Sequence, residues 1–347
     1  MLEMLLVGVP IAFSALVFGA ALVTVPHDIV FQEITAPNSL EYRGYPEQTL
    51  AALLEDKIDA IVDGAASLQV PKGIDTGLAE EPINAFLDTL GLSEPVRATQ
   101  RLLGMVDYVV DINVLGSPDW NVVVTVRISD DELNTLELSE LRGDVREFDA
   151  LLDRAAREIM AVAEPYIMAT YLYNTRAPDR SDVVVPLTYV KNMLPAVPLS
   201  TRPWFYNLLG RVAEDTDDLD LAVAYYERAL SLNPWFPLAQ TNLGRVYHRR
   251  GEYAKAVEHY RRALGSAEDL AIAHVYWAEA ALAQGRFKQA LAQLAEAQRI
   301  APEFARIYEA RAAILEHAGL PDRAEEQRQR AALARTREPR QGFYDAV

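Results

Sequence analysis

Residues 237–270 read PLAQTNLGRVYHRRGEYAKAVEHYRRALGSAEDL, and this stretch decides the fold. Gly251 marks a turn between two helical segments, the first carrying the small residue Gly244 and the second carrying Ala256, Tyr260 and Ala263. Moving 34 residues in either direction finds the same pattern again. Gly210 and Gly244 continue as Ala278 and Ala312; Ala222, Ala256, Ala290 and Ala324 form a second column; Ala229, Ala263, Ala297 and Ala331 form a third. A fourth column is large, Tyr226, Tyr260 and Leu294, and it ends on Arg328. Small residues at this spacing let two antiparallel helices approach closely, and the large residue fills the space between neighbouring pairs. Gly285 and Gly319 repeat the internal turn, while Asn233-Pro234 and Pro302 separate one pair from the next. Such a period, kept over four units, is the signature of a helical solenoid.

The run Asn242-Leu-Gly-Arg-Val-Tyr247, then Gly251-Glu-Tyr253, Ala256, Tyr260 and Ala263-Leu264, resembles the tetratricopeptide repeat (TPR) family almost position by position. The repeats fall at 203–236, 237–270, 271–304 and 305–338. Repeat 1 departs at its turn, where Asp215-Thr-Asp-Asp-Leu219 stands in place of glycine, and Arg328 makes repeat 4 a polar outer cap. The resemblance implies binding of proteins or peptides in a groove lined by the first helix of each repeat. Its groove positions fall on Asn207 and Arg211, then Thr241, Asn242, Arg245, His248 and Arg249, then Glu279, and finally Arg306 and Glu309. Arginines on that surface point to an acidic or carboxylate-bearing segment, because guanidinium presents a bidentate fork. A solvated helical face is the competing reading of the same residues. Chaperone-binding members of the family use a clamp of Lys and Asn; Asn242 matches its central Asn, but Arg211, Ile272 and Tyr276 occupy other clamp positions, which puts that specificity in doubt.

Upstream of the repeats the composition changes. The formal net charge of −17 lies wholly in residues 1–200, with 13 basic and 30 acidic side chains, while residues 201–347 hold 20 of each. An acidic surface repels a phosphate backbone, so nucleic acid is not an expected partner. Val106, Tyr108, Val110, Ile112 and Val114 alternate with polar residues, as do Val122, Val124, Val126 and Ile128 after Gly116-Ser-Pro-Asp119, which predicts a β-hairpin with one buried face. Two strands do not stand alone in water, and Asp28–Ile34 and Thr135–Leu138 are candidates to extend the sheet. Helices are expected from Pro46 through Val62, at Glu81–Leu90, at Glu94–Leu103 and from Asp144 to Val162, with Pro165 restarting the last before Tyr166–Tyr173. Val183–Val185 is a candidate edge strand.

From Met4 to Val25 there are 22 uncharged residues, enough for a helix to cross a hydrocarbon core of about 30 Å. A cleaved signal peptide is the alternative, but the basic n-region is missing and Gly19-Ala-Ala21 is a mediocre cleavage site. The expectation is a single-pass anchor with the bulk of the chain in a bacterial periplasm, since the first basic residue after it is Arg43. The plan is then a transmembrane anchor at 1–25, an α+β domain at 26–177, a proline-containing linker at 178–202, four TPR units at 203–338 and a tail at 339–347. This layout is similar to that of bacterial membrane proteins bearing such repeats.

Little chemistry is visible. The chain has no cysteine, which removes disulfides and thiolate sites, and the five histidines form no metal-binding spacing. No nucleophile elbow, phosphate loop or dinucleotide fingerprint occurs. Acidic clusters at Glu55, Asp56, Asp59 and Asp63 and at Asp130-Asp-Glu132 read as solvated faces before they read as acid–base pairs. The expectation is an adaptor or scaffold at the membrane with no enzyme activity, no cofactor and no metal. An accessory role in exporting or assembling an envelope polysaccharide or pilus is the alternative, with the α+β domain contacting substrate.

Overall fold

The computed structural model describes residues 29–37, 45–65, 74–75, 108–116, 121–130, 132–176 and 184–336, with Leu40, Val96 and Thr99 as single positions. They form two compact units, 29–62 with 74–168, and 63–65 with 169–336.

The first unit is built on a five-stranded sheet in the order β2-β1-β3-β4-β5. Strands β1 (Ile29–Thr35), β2 (Ile74–Asp75) and β3 (Tyr108–Gly116) run parallel, and β4 (Asn121–Asp130) and β5 (Thr135–Asp144) continue as an antiparallel meander. The alternation of the hairpin has its expected outcome: Val110, Ile112 and Val114 pair with Ile128, Val126 and Val124, and all are buried. Strand β5 runs six residues past the expected end, through the polar Ser139–Asp144, because pairing with β4 carries it; Leu141, opposite Val124, is its buried residue. Helices α1 (Glu47–Ala65) and α2 (Phe148–Ala163) supply the cover. Their stripes Leu50, Leu54, Ile58 and Leu151, Leu152, Ile159 are buried, and Lys57 of α1 is held between Asp149 and Asp153 of α2 at 2.9 and 2.8 Å. The helices expected at Glu81–Leu90 and Glu94–Leu103 lie outside the described residues, apart from Val96 and Thr99, which are helical.

The expected single-pass anchor is not found. Among the described residues no helix is long and apolar enough to cross a membrane, and Met4–Val25 itself lies outside them. The membrane partner, the periplasmic placement and the envelope role rested on that segment and are dropped with it.

Helix α3 (Pro165–Asn174) follows α2, and the division between the units falls within it. In place of an edge strand at Val183–Val185 the chain forms a helix, α4 (Val184–Met193). Pro186 explains the misreading, since a proline in a first helical turn gives up an N–H that has no partner there anyway.

Eight helices then alternate: α5 (Arg202–Asp215) with α6 (Leu219–Leu232), α7 (Pro237–Arg249) with α8 (Tyr253–Ser266), α9 (Ala271–Ala283) with α10 (Phe287–Ile300), and α11 (Ala305–His317) with α12 (Pro321–Arg335). The three alanine-bearing columns are buried throughout, and Tyr226, Tyr260 and Leu294 are fully so. Gly251, Gly285 and Gly319 adopt φ of +75°, +69° and +72°, the left-handed turn that glycine enters without a Cβ penalty. Asp217 holds the same register position in repeat 1 at φ +60°, which an aspartate tolerates better than most side chains.

His259 on α8 illustrates the packing between paired helices. Its Nδ1 donates to Gln240 Oε1 at 2.8 Å, its ring stacks on Tyr247, and burial, with Arg262 and Lys255 adding to it and Glu258 opposing, lowers its pKa to about 4. The fold therefore holds the neutral imidazole, while the unfolded chain takes up a proton near the usual histidine value of about 6.5. Stability from this site is complete above about pH 6.5 and falls as the pH drops toward 4. Urea unfolding at about pH 7 and about pH 4.5 should show a drop in midpoint that shrinks in His259→Gln; an unchanged drop would place the acid sensitivity elsewhere.

Candidate functional site

The first helices α5, α7, α9 and α11 touch one another in series, whereas the second helices chiefly touch their own partner and the first helix of the next repeat. The array therefore curves with the first helices inside, and the ten groove positions can be placed on this inner wall.

Four of the ten do not reach its surface. Thr241 is fully buried and donates its hydroxyl to the Pro237 carbonyl at 2.8 Å. Asn242, also fully buried, donates to Asn207 Oδ1 at 3.0 Å, joining α7 to α5 beneath the wall. Arg211 faces the start of the array, with its guanidinium carbon 4.5 Å from the centre of the Tyr173 ring. Arg176 stacks on the same ring at 3.7 Å, and the Tyr173 hydroxyl donates to Asp215 Oδ2 at 2.7 Å while Arg176 pairs with that carboxylate. Arg211 thus helps to fasten α3 over α5.

The other positions form a ladder running along the wall. Arg245 of α7 meets Glu214 of α5 in a fork, Nη2 to Oε1 at 2.7 Å and Nε to Oε2 at 3.2 Å, and its Nη1 donates to the Tyr276 hydroxyl of α9 at 3.0 Å. Arg306 of α11 reaches the same hydroxyl at 3.4 Å and pairs with Glu279 at 3.2 Å. Arg249 pairs with both Glu214 and Asp217. Beneath these, the buried Tyr226 hydroxyl donates to Glu214 Oε1 at 2.6 Å; burial, reinforced by the Glu214 charge, pushes its pKa well up and keeps the phenol protonated. Burial holds the His248 pKa down, with Arg306 acting in the same direction and Glu279 against it. Glu309 lies beyond the ladder and pairs with Arg335 of α12.

Glu214 and Tyr276 are the centre of this arrangement, and reading the sequence did not assign Glu214 to it. The signal was available at a different period. Glu214 to Arg245 and Arg245 to Tyr276 are each 31 residues, one repeat less about one helical turn, which is a diagonal step between adjacent first helices. Exposure increases outward, from 6% for the Glu214 side chain through 21% for Arg245 to 28% for Glu279, 33% for Arg306 and 39% for Arg249. The wall therefore presents charges of both signs on a fixed base, and its arginines are already matched by carboxylates of the same chain.

Paired helices of this kind have a sequence counterpart. Residues 207–271, and separately 249–314, match family models described as tetratricopeptide repeat. No curated protein matches the chain in sequence. Among solved structures, the chain is similar to a crystal structure of MamA at 20% identity and a TM-score of 0.36, over 44% of this chain and 88% of that one. MamA 41-end from Desulfovibrio magneticus RS-1 is similar at 15% identity and 0.38, over 51% and 98%. A chain of the APC/C hetero-tetramer Cut9-Hcn1 is similar at 15% and 0.45, over 58% and 39%.

Asp130 accepts from Asn134 through the backbone N–H at 2.7 Å and the side chain at 2.9 Å, closing the β4–β5 turn, and these bonds lower its pKa. Asp56, Asp59 and Asp63 lie exposed on α1, and no group of three or more His, Asp or Glu side chains able to hold a metal ion occurs among the described residues.

Proposed function

We propose that the TPR array is a protein-binding scaffold that holds a partner segment along its inner wall, with Arg245, His248, Arg249, Glu279 and Arg306 as the contacting residues. The observation that carries this is the outward gradient of the ladder: Glu214 and Tyr276, 6% and 1% exposed, fix the guanidinium groups of Arg245, Arg306 and Arg249, whose side chains are 21%, 33% and 39% exposed. Ordering long side chains before a partner arrives removes most of the rotamer entropy that binding would otherwise cost. Arg249 and Arg306 are the most exposed cations of the wall, so the segment is expected to carry carboxylates that compete with Asp217 and Glu279. Asn207, Thr241 and Asn242 support the wall from beneath, Arg211 fastens α3 at its start, and Glu309 lies apart from it. The reading is non-enzymatic, in keeping with the repeat fold.

Selecting peptides from a random library on the full chain tests it. Peptides that bind should lose about tenfold or more in affinity on Arg249→Glu with Arg306→Glu, and nothing on Arg261→Glu with Arg262→Glu on the second helix of repeat 2. Equal affinities for both variants would sink the inner-wall reading.

A further inference from the structure

Among the described residues, the array begins on a closed face and ends on an open one. Its start is covered by α3 through the Tyr173–Arg176–Asp215 cluster and by α4, which packs on α5. At its far end Glu309 and Glu316 line one side of a groove of about 300 Å³ on α11, and Arg328 and Arg335 line the other side on α12. The floor between these rows is alanine, Ala312 and Ala313 facing Ala331 and Ala332. One repeat earlier the same positions include Val275, Ala278, Leu294, Ala297 and Ala301, all buried where α11 lies against α9 and α10. Among the described residues no helix covers this slot.

We propose that this slot is the interface of a two-fold dimer, in which α11 and α12 of one copy lie against α12 and α11 of a second. The closed start prevents head-to-tail stacking, so a contact between copies through this slot has to be isologous. The charges select the axis. Glu309 pairs with Arg335 at one end of the groove and Glu316 with Arg328 at the other, so the acidic and basic rows stand level. A two-fold axis parallel to the helices sets each acidic row over the basic row of the other copy, with every carboxylate opposite a guanidinium. An axis crossing the helices sets acid on acid and base on base, which repels. Alanine on both floors permits the close helix approach that the rest of the array uses.

Sedimentation of the full chain over a concentration series tests the proposal. The wild type should associate to a dimer that weakens with added salt. Arg328→Glu with Arg335→Glu makes both rows acidic, and Glu309→Arg with Glu316→Arg makes both basic. Each variant alone should be monomeric, and an equimolar mixture of the two should restore the dimer, which also shows that both are folded. A wild type still monomeric at about 100 μM overturns the proposal. So do variants that dimerise as well as the wild type, or a mixture that fails to pair.

Discussion

Glu214→Ala lowers the stability of the repeat array by about 3–5 kcal/mol, because it leaves the Arg245 guanidinium with a largely desolvated charge and no carboxylate. The carboxylate is 6% exposed and serves four donors at once: the Tyr226 hydroxyl, two nitrogens of Arg245 and one of Arg249. Removing it orphans the phenol as well, which is fully buried. The measurement is urea unfolding followed through the helical signal, fitted to the transition of the repeats alone, since a chain of two units need not unfold in one step. Arg245→Ala should cost less, because Glu214 keeps Tyr226 and Arg249, and the double variant should cost clearly less than the two singles added together. Additive losses, or a Glu214→Ala effect under about 1 kcal/mol, would reduce the ladder to a set of ordinary surface pairs.

Gly210→Ala is the second large effect, at about 3 kcal/mol, and it arises from one methyl group. A Cβ at Gly210 would sit 2.4 Å from Tyr226 Cε1, 2.6 Å from Cζ and 2.7 Å from Cδ1. The ring is fully buried and its hydroxyl is bonded to Glu214, so it has nowhere to retreat without breaking that bond. Column sizes match across the repeats: Gly210 and Gly244 face Tyr226 and Tyr260, whereas Ala278 and Ala312 share a register with Leu294 and Arg328. Tyr226→Leu placed on Gly210→Ala should therefore recover part of the thermal midpoint, despite losing a hydrogen bond of its own. Gly265→Ala is the control with opposite sign. No atom lies within 4 Å of its added Cβ and it sits inside α8, so it should gain about 0.5–1 kcal/mol. A Gly210→Ala protein that melts with the wild type would show that the repeats slide apart more easily than their packing implies.

What could be read before the structure follows from which interactions are periodic. The columns of Gly, Ala and Tyr recur at fixed sequence distance because each fills the same space in each repeat, and the buried face of the β3–β4 hairpin is marked by its alternation. Polar contacts obey no such rule. The Glu214–Arg245–Tyr276 ladder steps diagonally at 31 residues, between the columns, so a search at 34 passes over it. Burial of Asn207, Arg211, Thr241 and Asn242 was equally hidden, since a polar residue on a first helix has the same letter whether it faces the groove or the neighbouring helix. The second half of β5 and the helix α4 owe their form to tertiary pairing and to a tolerated proline. The apolar run at Met4–Val25 has the composition of an anchor but lies outside the described residues, and among those no helix is long and apolar enough to cross a membrane.

Among the described residues, the covered start and the uncovered far side of α12 also make the two ends of the array unequal. A further 34-residue unit added beyond α12 meets a wall already shaped to receive a helix, whereas one inserted ahead of α5 has to displace Tyr173 and both guanidinium groups stacked on it. A unit joined beyond α12 therefore leaves the contacts of the first four repeats in place, whereas one joined ahead of α5 breaks the Tyr173 cluster.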